Sequence, residues 1–450
     1  MNRVGFFILI IFAVFVSGCV QTFSGYSSEL NKYGLIYDSK SCDDKFIDEK
    51  IKTNSDLLMW YELGGSMKRN CLDYNASNFY FDQAEDLYKT NVDLENFASK
   101  GTKTATSILL NDNIDSYRGG IYESIMLNVY KGLNFMSMND FNSARVEFNR
   151  ALDRQRRAKD EFKNEIENKI ASLENENKDA IQAAQNEQTQ KTIYGVYNRS
   201  VFADFVAYPD FVNPFATYMA GLFFFADKDY KKAYEMFKES LAMQPKNKFL
   251  QEEFELSQNL LLSKNRNQNF IWLIYENGKS AIKDEIKIDI PLFIFTDEVP
   301  YVGISLPTLT NRANSYEYLI IADKKTYKVA DMDRVIKTEF SKQLPFIITK
   351  SIIRTAIKTI INYQIYSKDE TIGLGVAVFN AITNKSDVRS WVSLPKNFQV
   401  ARVLNDGENI AIKTPDGDIL ENVLIAKNKS AIIYINSPIK GSINLHKIFF

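Results

Sequence analysis

The chain has a single histidine, His446, and only three cysteines, Cys19, Cys42 and Cys71, among 450 residues. That scarcity leaves almost nothing from which to build a zinc centre, a Ser-His pair or a Cys-His pair, so neither histidine-dependent catalysis nor a metal or other cofactor is expected. An excess of one charge is also lacking: 55 basic residues stand against 56 acidic ones, and no net field argues for nucleic acid as a partner. A membrane-spanning run is missing too, since the apolar stretch from Phe6 to Val16 is shorter than the ~20 residues a spanning helix needs.

What stands at the N-terminus is a signal-peptide pattern. Met1 to Gly18 opens with Asn2 and Arg3, continues apolar, and closes on small residues. Val16-Ser17-Gly18-Cys19 resembles a bacterial lipobox. That resemblance implies cleavage before Cys19, which would carry thioether-linked diacylglycerol and an N-acyl chain, enough to anchor stably. Val20 follows where an aspartate would favour the inner membrane, so the outer membrane is expected, with the chain facing the periplasm. Residues 19–53 are then expected to form an anchor and a tether, Val20 to Lys40 being rich in Ser, Gly and Tyr without a sustained period. Export puts Cys42 and Cys71 in an oxidising space where disulfides persist, and one bridge between them is expected, the alternative being two buried thiols. A bridge would contribute roughly 3 kcal/mol in the chain-entropy model.

From residue 54 to 262 a frame repeats. Gly132-x-x-Phe135 followed by Phe141-x-x-Ala144-x-x-x-Phe148-x-x-Ala151 recurs as Gly221-x-x-Phe224 with Tyr230-x-x-Ala233-x-x-x-Phe237-x-x-Ser240. A weaker copy has Gly65 with Tyr74-x-x-Ser77-x-x-x-Phe81-x-x-Ala84. These spacings resemble the tetratricopeptide repeat, a helix-turn-helix unit of about 34 residues. The resemblance implies a partner-binding groove lined by the first helix of each pair. Its lining would include Glu62 and Arg69, then Val129, Leu133 and Met136, then Tyr218, Leu222 and Phe225. The basic clamp that some such arrays use for a peptide C-terminus is not evident. Asp73-Tyr74-Asn75-Ala76-Ser77 also matches an extended bacterial glycosylation sequon at Asn75, although the repeat frame already accounts for Ser77.

An insertion at about 153–215 separates the second and third pairs. Arg154 to Lys191 is polar, with a thin seam of Phe162, Ile166, Ile170, Leu173 and Ile181, and reads as a solvated helical arm. Tyr194, Tyr197, Phe202, Phe205, Tyr208, Phe211 and Phe215 then crowd a segment that either packs or binds.

Beyond Ser263 the pattern changes to short β-branched runs, and 263–450 reads as a mixed strand and helix domain, making the whole chain α+β. Strands are expected at 270–275, 286–295, 318–321, 398–404, 409–413, 423–426 and 431–436. A long helix is expected from Asp331 to Tyr366, kinked at Pro345, and a short buried one from Ile372 to Ile382. Lys350, Arg354 and Lys358 form a stripe on the long helix, read as a solvated face or a contact for anionic cell-wall polymer. Asp387, Arg389 and Trp391 form either a buried ion pair capped by an indole or a recognition patch.

The runs Ile290-Pro291-Leu292-Phe293, Ala330-Asp331-Met332-Asp333, Asp387-Val388-Arg389-Ser390-Trp391 and Phe398-Gln399-Val400-Ala401-Arg402-Val403 are similar to a family of Gram-negative tetratricopeptide lipoproteins. That resemblance covers most of the mature chain and implies no catalytic residue. Genes of the family often lie near those of a lipoprotein activator of penicillin-binding proteins. The expected function is therefore a non-enzymatic scaffold for a protein or peptide partner, attached to the membrane by its lipid. The alternative is a glycan binder or glycan-acting enzyme using carboxylates such as Glu298, Glu317, Asp331 or Glu339, two of which would have to face one cleft.

Overall fold

Helix formation starts earlier than the tether expectation allows. The computed structural model describes residues 26–98, 116–173, 178–209, 212–262, 268–291, 301–366 and 385–450. The signal peptide, Cys19, Phe211, Glu298, the helix expected at 372–382 and most of the boundary around 263–269 lie outside these residues. Within 19–53, α1 (Ser27–Asp38) and α2 (Lys45–Lys52) are folded and packed, so the tether does not extend to residue 53. The reason is a stripe that the polar composition obscured: Tyr26, Leu30, Tyr33 and Tyr37 recur at steps of four, three and four, and all are buried.

Three helical hairpins carry the N-terminal half. The first pairs α3 (Leu57–Asn70) with α4 (Tyr74–Ala98), and the second pairs α5 (Ile121–Ser137) with α6 (Phe141–Leu173). After α7 (Lys178–Gln185) and α8 (Glu187–Ser200), α9 (Pro214–Ala226) pairs with α10 (Tyr230–Met243), and α11 (Lys248–Leu262) follows. Each pair closes where a glycine meets a phenylalanine. A Cβ on Gly65 would lie 2.4 Å from Phe81, one on Gly132 2.9 Å from Phe148, and one on Gly221 3.0 Å from Phe237. At Gly65 a side chain would overlap the ring outright, and at Gly132 and Gly221 the ring would have to shift, so the repeated glycines favour this close hairpin spacing. Successive pairs are tied by charge: buried Lys131 meets Asp82 at 2.8 Å, Glu85 at 2.6 Å and Glu147 at 3.1 Å, while Arg145 reaches Asp227 and Asp229. A disulfide joins Cys42 to Cys71, with Cα atoms 5.7 Å apart, and holds the lead-in to α2 against the end of α3.

α6 continues unbroken for 33 residues into the polar stretch, where Ala158 and Leu173 are buried and not solvated. The aromatics pack: Tyr197, Tyr208 and Phe215 are buried, and Tyr197 and Phe202 both stack near Phe340.

The C-terminal half supplies eleven strands among the described residues. A five-stranded sheet runs β11-β10-β1-β7-β6, with β1 (Phe270–Asn277) parallel to β10 (Ala431–Ile439) and the other neighbours antiparallel. β7 is Asn397–Leu404, β6 Tyr327–Asp331 and β11 Ser442–Phe449. Every residue of β1 is buried, because both faces are covered. Ile271, Leu273 and Tyr275 meet a second core beneath a four-stranded sheet of β4 (Ile320–Ile321), β5 (Lys324–Lys325), β8 (Asn409–Lys413) and β9 (Ile419–Leu424). Phe270, Trp272 and Ile274 face the helices instead. The turn after β1 needs Gly278, whose φ is +62° and where a Cβ would lie 2.6 Å from the Ala313 carbonyl. Strands β3 (Tyr301–Thr310), β5, β6 and β11 lie outside the expected ranges. β3 pairs with β2 (Ile282–Pro291) in a separate hairpin.

The inner face of the five-stranded sheet fills the concave side of the hairpins. Phe225 meets Trp272 at 5.1 Å between centroids, Phe215 stacks on Phe398 at 3.4 Å, and Glu253 accepts from the Trp272 indole at 3.1 Å. The long helix α12 (Met332–Tyr366) begins within one residue of its expected start and contains Pro345. Its basic stripe is not a solvated face: Arg354 is 3% and Lys358 9% exposed, because other elements cover that side. No described helix is long and apolar enough to cross a membrane.

Candidate functional site

The residues expected to line an open groove are buried against the sheet. Met136, Tyr218, Leu222 and Phe225 belong to the main core, as do Val129 and Leu133. Their first-helix positions do point inward, but the cleft they enclose holds β1, β7 and β10 instead of a partner. Glu62 is fully buried as well. Its Oε1 accepts from the Tyr88 hydroxyl at 2.6 Å, and burial, then the neighbouring Glu123, push its pKa well above the carboxylate range.

Arg389 and Trp391 are likewise internal, and Asp387 is half-buried beside them. Arg389 is 1% exposed and bridges Asp387, at 2.9 Å, to Asp56 at the start of α3. The Trp391 indole donates to Ser66 at 2.6 Å and Ser393 at 3.1 Å, and its ring contacts both Phe81 and Tyr130, which stack on each other. Its amide donates to Glu123 at 2.8 Å, which also accepts from Tyr117, Gly120 and Tyr122. The segment is thus a strap that fastens the C-terminal half to the first two hairpins. It is not a surface patch.

The carboxylates considered for glycan chemistry serve separate local tasks. Buried Glu339 accepts the first amides of α5, from Ile121 at 2.9 Å and Tyr122 at 3.0 Å, and burial pushes its pKa up to about 7. Asp331 accepts from the Arg334 amide at 3.1 Å at the start of α12 and from Lys328 at 2.7 Å. Glu317 is exposed.

Arg69 is the expected groove residue that reaches an opening. It lies in the last turn of α3 and lines a small open recess, with a cavity volume of about 20 Å³, between α1, α3, α5 and the strands β1, β10 and β11. The guanidinium is held between two rings, 5.1 Å from the centre of Tyr130 and 4.9 Å from that of Tyr434. Nη1 donates to Asn134 at 2.7 Å, and Asn134 is itself fixed by Ser77 and Asn78. Burial opposes its charge, while Tyr434 and Glu276 favour it, and the net effect raises an already high pKa. Opposite, Glu276 accepts from Tyr434 and from Asn436 Nδ2, so both of its oxygens are engaged. His446 lies on Tyr434, 4.9 Å between centroids, with Nδ1 3.5 Å from the Ser137 hydroxyl. Burial, reinforced by Arg69, pushes its pKa well below the ordinary value, so the imidazole is neutral at pH 7.

Among the described residues Arg69 Nη2, Asn70 Nδ2 and Asn436 Oδ1 of this recess find no protein partner. Their residues are 7%, 8% and 9% exposed. Leaving such a group unsatisfied costs about 1–3 kcal/mol, so two donors and an acceptor here call for water or a ligand. Sequence reading found Arg69 but missed Glu276, Asn436 and His446. Signals were present: Glu276 and Asn436 interrupt otherwise apolar strands, and His446 is the only residue of its kind.

Compared with known proteins, the chain matches no family model, no curated protein and no solved structure. A reading of its role therefore rests on its own residues.

Proposed function

We propose that this chain is a non-enzymatic protein-binding scaffold of the cell envelope, held at the periplasmic side of the outer membrane by lipid on Cys19. In this reading its helical half is a tetratricopeptide-type array and its partner is a protein or peptide acting in envelope or cell-wall assembly. The observation that carries the reading is the threefold closure of glycine on phenylalanine, Gly65 on Phe81, Gly132 on Phe148 and Gly221 on Phe237, at the same spacing in each hairpin. Stacked hairpins of this kind present extended surfaces and are suited to binding more than to chemistry. Because the concave side is taken by the chain's own sheet, partner contacts belong on the outer faces and rim. Labelling cells with a fatty-acid analogue tests the anchor: wild type takes the label and Cys19→Ala does not. In-cell crosslinking with mass spectrometry tests the scaffold. Reproducible crosslinks from outer-face lysines to one envelope protein support it, and crosslinks confined to the chain itself overturn it.

A further inference from the structure

We propose that the Arg69 recess is a carboxylate-binding site, which takes the carboxylate end of a small molecule or of a chain terminus while the rest of the ligand leaves through the mouth. The site stands whether or not the scaffold reading does, because it is carried by different residues.

Arg69 is a fixed cation with an unfilled valence. Among the described residues no carboxylate lies within ion-pair distance of it; Nη1 donates to Asn134, the Tyr434 hydroxyl lies within its reach, and Nη2 has no partner of good hydrogen-bond geometry though the residue is buried. Rings on both sides and the Asn134 contact prevent the guanidinium from turning away to find another acceptor. The next residue, Asn70, adds a second free donor, its oxygen being fixed by Asn444 at 2.5 Å. Two donors, one of them charged, suit the two oxygens of a carboxylate. Glu276 decides against a more highly charged anion, since a dianion would meet one cation and one acid at close quarters. On the other side Asn436 Oδ1 offers an acceptor, so a ligand that carries an N–H or O–H near its carboxylate is favoured over a plain fatty acid. Tyr37, Tyr130 and Tyr434 wall the space between these poles.

His446 provides the measurement. As the only histidine in the chain, it gives one imidazole signal in untagged protein labelled with isotopic histidine, and it lines the recess. Titration with N-acetylglycine is expected to shift that signal saturably, and N-acetylglycinamide, which lacks the anion, is expected to leave it unmoved. Asn70→Ala and the charge-retaining Arg69→Lys should each weaken the effect by about tenfold. Both variants must first show an unchanged melting transition and a dispersed spectrum; if Arg69→Lys does not, Asn70→Ala carries the test alone. A peptide with a free C-terminus then identifies the source: saturation equal to or tighter than N-acetylglycine indicates a chain terminus, and no saturation indicates a small molecule. No shift with either carboxylate, an equal shift with the amide, or identical affinity in wild type and Asn70→Ala overturns the proposal.

Discussion

Two polar regions are buried where the helical hairpins meet the C-terminal half, and they are finished to different standards. Around Arg389 the acids Asp56, Asp387, Glu123 and Glu339 have every oxygen partnered, while Glu62 Oε2 and Ser390 Oγ are left over. Around Arg69 a guanidinium nitrogen, an amide nitrogen and an amide oxygen are left over. Both regions hold a buried arginine among tyrosines and asparagines or acids, so composition does not separate them. The pairing of the arginine does: Arg389 is spent on two carboxylates and fastens two halves of the fold, whereas Arg69 meets no carboxylate among the described residues and lines an opening.

The largest effect is expected from breaking the fastened region. Arg389→Met leaves Asp56 buried without its cation and half-buried Asp387 without its partner, which should lower stability by about 3–5 kcal/mol in denaturant unfolding. A loss under about 1 kcal/mol would mean that the strap is not what joins the halves. Next comes the covalent tie. Cys42→Ser with Cys71→Ser should cost about 3 kcal/mol and release α1 and α2 first, seen as early hydrogen exchange at Leu30 and Tyr33.

Glu339 gives the fastened region a pH signature. An unfolded glutamate titrates near 4.5, and in the fold this one is held at about 7 by burial. Below pH 4.5 both states carry the proton and its contribution is whole. As pH rises from 4.5 to 7 the unfolded chain gives up the proton while the fold retains it, so stability falls, by about 3 kcal/mol in total. Glu339→Gln keeps an oxygen for one of the two α5 amides, has no proton to lose, and should flatten that slope. Parallel pH profiles for the variant and the wild type would contradict the assignment.

Much of this contrast was out of reach of the sequence. Local periodicity was readable: the glycine and phenylalanine frames close as the spacing implies, β8 matches its expected bounds, and α12 is off by one residue. Helical spacing also put Arg69, Tyr218 and Phe225 on inward faces. It could not say what stands opposite, because that is set by the parallel pairing of β1 with β10, partners some 160 positions apart along the chain. The same limit misplaced Arg354 and Lys358, since a period shows which residues share a face but not whether the face is covered. α1 was missed for the opposite reason: its period was present in four residues, but Ser and Gly around them read as a tether.

The smallest effect is the one that discriminates best. Arg69→Met makes the same change as Arg389→Met, a buried cation replaced by an apolar chain of similar length, and it is expected to cost only about 1–2 kcal/mol. What it removes is one hydrogen bond to Asn134 and two ring contacts; what it relieves is a buried donor that had no acceptor. Glu276 loses a through-space attraction but keeps its donors from Tyr434 and Asn436, whereas Asp56 and Asp387 lose direct ion pairs in the other variant. Adding N-acetylglycine should raise the melting temperature of the wild type and leave that of Arg69→Met unchanged, because ligand binding to the folded state alone stabilises it. If instead the two arginine variants lose equal stability, Arg69 is a fastening like Arg389, and the difference between the two regions is one of hydration and not of use.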